Sequence, residues 1–236
     1  MISFIVPAHN EEAWIVRCLT AIREAMASIP SEYEIIVVDD ASTDTTASLA
    51  HQHGARVVPV AHRQISATRN AGAREARSEL LVFVDADTLV NAAVIHSALS
   101  SIAEGALGGG CIPRFEGRLP LWFRALYPGM VFIMRHILNQ TGGACLFCTR
   151  AAFDATGGFS EAHYAAEEDV WVKALKKHGR FVIPPETVIT SGRSLRTQSP
   201  WTIARVFLRL ALRGPDGFRD RRGLDLWYRP SRESPQ

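Results

Sequence analysis

The chain has 236 residues, 47% hydrophobic and 21% charged, with a formal net charge of only +2. Those proportions exclude a disordered or collagen-like chain, and at this length roughly 70–75% of the unfolded surface can be buried, enough for a core without disulfides. From Arg193 to Gln236 there are 10 Arg and 4 acids, whereas the preceding 192 residues carry 16 basic and 20 acidic side chains. A mildly acidic body with a basic tail excludes a nucleic-acid binder coated in positive charge, although the tail could meet phosphate groups or an anionic membrane.

Ile2 to Val6 is a short apolar run ending at Pro7 and reads as a buried strand. Ile15, Leu19, Ile22 and Met26 then recur at helical spacing, and Pro30 closes that helix. Tyr33–Val38 is a second strand that stops at Asp39-Asp40. Asp44 opens a short helix ended by Gly54, Arg56–Val60 gives a third strand, and a helix is predicted over about Ser66–Arg77. Leu80–Val84 is a fourth, fully apolar strand, and it too ends at carboxylates, Asp85 and Asp87.

Regular alternation of strand and helix implies right-handed crossovers and a mostly parallel α/β sheet covered on both faces, with a ligand crevice beyond the carboxyl ends of the strands. His9, Asn10, Glu11, Asp39, Asp40, Asp85 and Asp87 all fall at that edge. The later sequence is less regular. Leu119–Leu138 is apolar but interrupted by Arg124, Pro128 and Arg135. Gly108-Gly-Gly110 reads as backbone punctuation, Gly143–Thr149 as a strand, and Gly157-Gly-Phe159 as a turn. Glu167-Glu-Asp169 opens a helix to Gly179 whose charge order suits the helix dipole. Phe181–Ile183 and Thr187–Thr190 read as short strands. Ser199-Pro200 caps a last helix to Arg213, and the chain from about Arg229 is a loose end.

Cys145 and Cys148 form a lone C-x-x-C, but their odd spacing on a strand puts the thiols on opposite faces. With Cys18 and Cys111 they are expected to be buried free thiols of a reducing compartment. No secretory signal is visible and no uncharged apolar run reaches ~18 residues, so a cytoplasmic location is expected.

Four constellations could carry chemistry. Asp85-Ala-Asp87 can share a hard divalent cation with phosphate oxygens, against a solvated turn as the plain alternative. An aspartyl-phosphatase reading fails because position 89 is Leu. Asp39-Asp40 offers acceptors for a uracil imide or a ribose hydroxyl, against simple strand termination. Arg69, in the first turn of its helix, is placed to face phosphate. Glu167-Glu168-Asp169 supplies either dipole partners or a general base for a hydroxyl nucleophile. The chain lacks G-x-G-x-x-G, G-x-x-x-x-G-K-S/T and G-x-S-x-G motifs, which removes dinucleotide oxidoreductases, P-loop NTPases and α/β-hydrolases.

Ile5–Glu12, Val37–Asp44, Ala67–Gly72, Phe83–Asp87, Gly157–Phe159 and Glu168-Asp169 occur in the order found in family-2 glycosyltransferases, which the chain resembles over about residues 2–190. The resemblance implies the GT-A fold, Rossmann-like and nucleotide-sugar dependent. A domain over 1–192 would comprise a donor-binding half (about 1–105) and an acceptor half (about 106–192), followed by a basic helix and tail over 193–236. It implies that Pro7, His9 and Glu11 line the nucleoside pocket, with Asp40 at the base edge and Arg69 near the nucleotide. Asp85 would lie near the ribose and metal, Asp87 would be the main ligand of Mg²⁺ or Mn²⁺, and Asp169 the catalytic base of an inverting, single-sugar transfer. Glu168 and Trp171 would stand on the acceptor side, and Arg193 would touch the diphosphate.

The expected partners are a UDP-sugar or other nucleotide-sugar donor and a hydroxyl acceptor on a glycan, lipid or small molecule, with no nucleic acid. Two alternatives stay open: a non-catalytic nucleotide-sugar-binding module, and a nucleotidyltransferase on a similar sheet, which would release pyrophosphate. In Ser199–Arg213, Arg205, Arg209 and Arg213 recur beside Trp201, Ile203, Phe207, Leu208 and Leu212. Such a helix either packs on the domain or lies in the interface of a membrane's inner face, with Leu121–Ile133 nearby.

Overall fold

The first strand, β1 (Ile2–Ala8), is buried at every residue, as a central strand between two helical layers must be. The computed structural model describes residues 1–197 and positions 201, 205, 209, 217 and 219. The expected helix over Ser199–Arg213 and the tail therefore lie outside the described residues, apart from those isolated positions. After β1 come α1 (Ile15–Met26), β2 (Tyr33–Asp40), α2 (Thr46–Gln52), β3 (Arg56–Val60), α3 (Ile65–Glu75) and β4 (Leu80–Val84). This half follows the sequence reading to within a few residues.

The second half holds β5 (Thr88–Leu89), α4 (Ala92–Ala103), β6 (Gly108–Gly110), β7 (Ile112–Glu116), α5 (Leu121–Phe132) and a π-helix (Ile133–Leu138). It continues with β8 (Cys145–Thr149), α6 (Arg150–Thr156), α7 (Glu167–His178), β9 (Phe181–Val182), β10 (Thr187–Ser191) and α8 (Arg193–Thr197). The main sheet runs in the order β3-β2-β1-β4-β8-β6-β9. Every neighbouring pair is parallel except those made by β8, which is antiparallel to both β4 and β6. A small second sheet, β5-β10-β7, stands beside it.

Two apolar clusters cover the two faces of the main sheet. One includes Val6, Val37, Val84 and Cys145 with side chains of α1 and α4. The other includes Ile5, Val38, Phe83 and Cys148 with side chains of α3, α6 and α7. Cys145 and Cys148 thus face opposite layers, as their spacing requires, and all four cysteines are buried and free. Gly72 lets α3 lie close on the sheet, since a Cβ there would sit 2.4 Å from Ile5 Cγ2 and 2.8 Å from Val38 Cγ2.

Gly108–Gly110 is not punctuation but the strand β6, buried between β8 and β9. A Cβ on Gly109 would lie 2.4 Å from the Phe147 ring and 2.5 Å from the Val182 carbonyl oxygen. Glycine normally weakens a strand; here neighbouring aromatic and backbone atoms fill the place of its side chain. Helix α4 and strand β7 have no counterpart in the sequence reading. Among the described residues no helix is long and apolar enough to cross a membrane. Gly109→Ala should overpack this strand and lower stability by about 1–3 kcal/mol in urea unfolding; an unchanged midpoint would show that β6 has room for a side chain.

Candidate active site

Arg69 lies in the second turn of α3 and points inward, with its side chain 3% exposed. One guanidinium nitrogen donates to Glu167 Oε1 at 2.8 Å; the other donates to Asp85 Oδ1 at 2.8 Å and to the Gly143 carbonyl at 3.0 Å. The end of β4, the start of α7 and the approach to β8 therefore meet on one cation. Burial alone would pull the Arg69 pKa down, but Asp85, Glu167 and Glu168 outweigh it and hold the group charged.

The Gly157-Gly-Phe159 turn supports that cation from below. The guanidinium carbon stands 5.3 Å from the Phe159 ring centroid, within reach of a cation–π attraction. Asn70, the next residue on α3, clamps the Phe159 backbone from both sides, with N–H···Oδ1 and Nδ2–H···O contacts of 2.9 Å. Phe159 also packs edge-on to Phe83 of β4 and against Trp171 of α7. The separate sequence motifs around Arg69, Asp85, Phe159 and Glu167 are thus one packed unit.

Two expectations are corrected here. Arg69 does not face an open phosphate site, because its donors are directed at two carboxylates and a carbonyl. Trp171 is not on an acceptor surface: it is 1% exposed, four residues after the buried Glu167 on the inward stripe of α7. Its indole N–H donates to Thr156 Oγ1 at 3.1 Å.

A second cation stands across the strand ends. Arg193, at the start of α8, makes a two-pronged ion pair with Glu11, and its guanidinium lies 3.4 Å from Asp87 Oδ2. Thr190 of β10 approaches Asp87 Oδ1 at 3.4 Å, and Ser191 N donates to the Asp87 carbonyl. Burial pushes the Asp87 carboxyl up to about 7; Arg193 works against this, while Glu11 and Asp85 add to it. Burial likewise raises Glu11, partly offset by Arg193. Hard carboxylate oxygens crowded at raised pKa are a chemistry that a divalent cation would relieve. Among the described residues no group of three or more His, Cys, Asp and Glu is arranged to hold a metal unaided.

At the β2 tip the two aspartates divide the work. Asp40 accepts the backbone N–H groups of Arg63 and Gln64 at 2.8 and 3.1 Å and the Thr68 hydroxyl at 2.8 Å, tying down the start of α3. Asp39 keeps a buried Oδ1 without a partner. His9 Nδ1 lies 2.8 Å from the Asp40 carbonyl oxygen, a contact that requires the proton on Nδ1. Pro7 is buried in β1 beyond the last β4 pairing at Ile5–Phe83, so its missing N–H breaks no ladder bond on that side.

Helix α7 places three acids in its first turn and Lys176, Lys177 and His178 in its last. Burial raises Glu168 well above the usual range, with Glu167 and Asp169 adding to it. Burial also raises Asp169, against the Gln140 hydrogen bond and the charges of Lys173 and Lys176. The five non-glycine residues of positive φ among the described ones are Asn10, Ala41, Arg63, Asn139 and Ala166. They follow β1 and β2, precede α3, follow the π-helix and precede α7, and backbone strain of this kind collects at sites that the surrounding structure over-determines.

Replacing Arg69 leaves Glu167, 4% exposed, without its counter-ion. Arg69→Met is therefore expected to lower unfolding stability by about 3–5 kcal/mol, and the Arg69→Met/Glu167→Met pair to lose less than the single variant. A small, strictly additive loss in chemical denaturation would show that the Arg69–Glu167 pair does not hold α7 in place.

Comparisons with known proteins identify the family and the fold. The model of "Glycosyl transferase family 2" matches residues 3–156. The chain is 32% identical over 131 residues to validoxylamine A glucosyltransferase of Streptomyces hygroscopicus subsp. limoneus, covering 51% of this chain and 28% of that protein. It is 30% identical over 109 residues to the poly(ribitol-phosphate) beta-N-acetylglucosaminyltransferase TarS of Staphylococcus aureus, covering 43% and 19%. The chain thus spans well under half the length of these relatives.

Among solved structures, the mannosyltransferase PcManGT of Pyrobaculum calidifontis, in complex with GDP-Man and Mn²⁺, matches with a TM-score of 0.70 at 21% identity, over 89% of this chain and 61% of that one. The glucosyl-3-phosphoglycerate synthase of Mycobacterium tuberculosis, with Mn²⁺, UDP and glucosyl-3-phosphoglycerate, gives 0.63 at 20% identity, over 91% and 80%. At such identities the likeness is one of fold. With the family model covering most of the chain and the motif residues gathered at one sheet edge, the chain belongs to glycosyl transferase family 2.

Proposed function

We propose that the protein transfers one glycosyl unit from a nucleoside-diphosphate sugar, UDP-linked by preference, to an acceptor hydroxyl with inversion at the anomeric carbon. The observation that supports this most is the Arg69 bridge, which ties the D-x-D strand end at Asp85 to the acidic turn at Glu167, two residues before Asp169. Neighbouring folds complexed with UDP-GlcNAc, GDP-Man and Mn²⁺ support a nucleotide-sugar donor and a divalent metal.

In this reading Pro7, His9 and Glu11 line the nucleoside pocket. Asp40 keeps the base edge in shape through its hold on residues 63, 64 and 68, and the unpartnered Asp39 Oδ1 accepts the imide N–H of the base. Asp85, with one carboxylate oxygen held by Arg69, directs the other towards the ribose. Asp87, supported by Asp85, would hold Mg²⁺ or Mn²⁺, with the diphosphate supplying further oxygens. The ion's chemistry, when bound, is neutralisation of the leaving diphosphate. Arg193, released from Glu11, is the residue placed to meet the same charge.

The acceptor proton goes to Asp169. Gln140 orients that carboxylate, and burial gives it a basicity above an ordinary aspartate, while Glu168 stands beside it on the acceptor side. As the hydroxyl oxygen attacks the anomeric carbon, the bond to the diphosphate oxygen breaks on the opposite face, and no enzyme-bound sugar is needed. A non-catalytic binding module would have no use for a hydrogen-bonded base at this position, and a nucleotidyltransferase would release pyrophosphate.

Asp169→Asn is expected to reduce transfer by about 10²–10⁴-fold with UDP affinity nearly unchanged; substantial residual turnover would reassign the base. Asp169 must be ionised to act, so activity falls as pH drops through its raised pKa. Gln140→Leu removes a bond that favours the ionised form, so the acid limb of kcat/KM should move to higher pH. An unmoved limb would separate Asp169 from proton transfer.

A further inference from the structure

Helix α5 and the π-helix that continues it present an apolar face that no element among the described residues covers. Of the ten large hydrophobic residues exposed among the described ones, six lie here: Leu121 (77%), Leu126 (59%), Phe132 (59%), Ile133 (45%), Ile137 (66%) and Leu138 (56%). The opposite side is anchored, with Phe123 buried and stacked on Tyr127, and both rings packed against Phe115. The exposure is therefore not that of a frayed segment. It is the outward side of a helix that is apolar nearly all round, which a soluble surface helix is not.

Charge decides between the possible occupants. From Gly117 to Phe153 the chain has four arginines and no Asp, Glu or Lys, and Arg114 and Arg118, shortly before α5 in the chain, and Arg124 within it are exposed. A second copy in a two-fold contact would set this cationic strip against itself. The arm from Arg193 onward, with 10 Arg and 4 acids, would meet it with like charge as well. An anionic lipid surface satisfies both features at once, since apolar side chains enter the acyl boundary while arginines stay among the headgroup phosphates.

We propose that the outward face of Leu121–Leu138 docks on an anionic membrane surface. The consequence for the site, which rests on Asp169 being the base, is that acceptors arrive from the lipid side. The π-helix is fastened to the rest of the acceptor half at its end: Lys176 Nζ donates to the Leu138 and Asn139 carbonyls, and Gln140, two residues past the helix, holds Asp169. A side chain seated in the headgroups is thus two residues from the group that orients the base. A π-helical turn next to such a group is a common mark of a functional segment.

The test needs neither donor nor chemistry. The full chain is mixed with sucrose-loaded vesicles of phosphatidylcholine alone, or of phosphatidylcholine with phosphatidylglycerol in equal parts, and pelleted at low and high salt. The proposal expects pelleting with the anionic vesicles, weakened by salt and at least about tenfold weaker on phosphatidylcholine. The double variant Phe132→Glu/Ile137→Glu should lose it by a similar factor, with its melting temperature and UDP affinity unchanged because both side chains are exposed. Wild-type protein left in the supernatant, or a variant that pellets as well as wild type, would overturn the proposal. So would a wild-type dimer in light scattering that the variant dissolves, since the face would then belong to a second copy. Vesicle binding that persists in Asp169→Asn keeps this result separate from the fate of the transferase reading.

Discussion

A single buried guanidinium holds the two halves of the site in register. Arg69 reaches from α3 to Asp85 at the end of β4 and to Glu167 at the start of α7, with Phe159 beneath it and the Gly143 carbonyl at its edge. Burying an arginine is unfavourable unless its charge and donors are met. Here two carboxylates and a carbonyl, each from a different part of the chain, meet the charge and the two terminal nitrogens, and Nε alone is buried without a partner. Helix α7 can dock only where Glu167 finds this partner, and that docking decides where Glu168 and Asp169 stand. The same contact removes one of Asp85's oxygens from competition and leaves the other for a ligand.

The rest of the site has the opposite electrostatic character. Burial raises Asp87 and Glu11, the charge of Asp85 adds to both, and Arg193 is the cation that tempers them. Both terminal nitrogens of Arg69 are held and only its buried Nε lacks a partner, whereas Arg193, at the start of a five-residue helix, is held by Glu11 and more loosely by Asp87 at 3.4 Å. One arginine is architecture; the other, in the proposed function, trades its carboxylates for the charge of the donor. Strained residues at the ends of β1 and β2 and before α3 and α7 mark where backbone comfort has been given up for that geometry.

The sequence was most legible where pattern and chemistry coincide. Apolar strands that stop at Asp39-Asp40 and at Asp85 and Asp87 declared both the parallel half-sheet and the edge at which the candidate site lies. Charge order alone placed α7. What the sequence hid was which polar residues face inward. Arg69 looks like a phosphate contact because its buried partners are 16 and 98 residues away. Trp171 looks available because its neighbours are acids, although the i, i+4 stripe from Glu167 turns it into the core. Asp39 and Asp40 differ only in the face of β2 they take, and it is the backbone of residues 63 and 64 that engages Asp40. Gly108–Gly110 reads as a break because propensity argues against a glycine strand; the Phe147 ring, which fills the space, is a tertiary fact.

The account stands on the D-x-D turn and the α7 acids enclosing the same activated sugar. A crystal of the protein grown with UDP and Mn²⁺ tests this directly, because the anomalous signal locates the ion without assumption. The account requires the peak at Asp87 and the diphosphate oxygens, with Asp169 opening into the same cavity as the ion. An ion bound elsewhere, or Asp169 and Asp87 facing separate cavities around a well-ordered UDP, would contradict it.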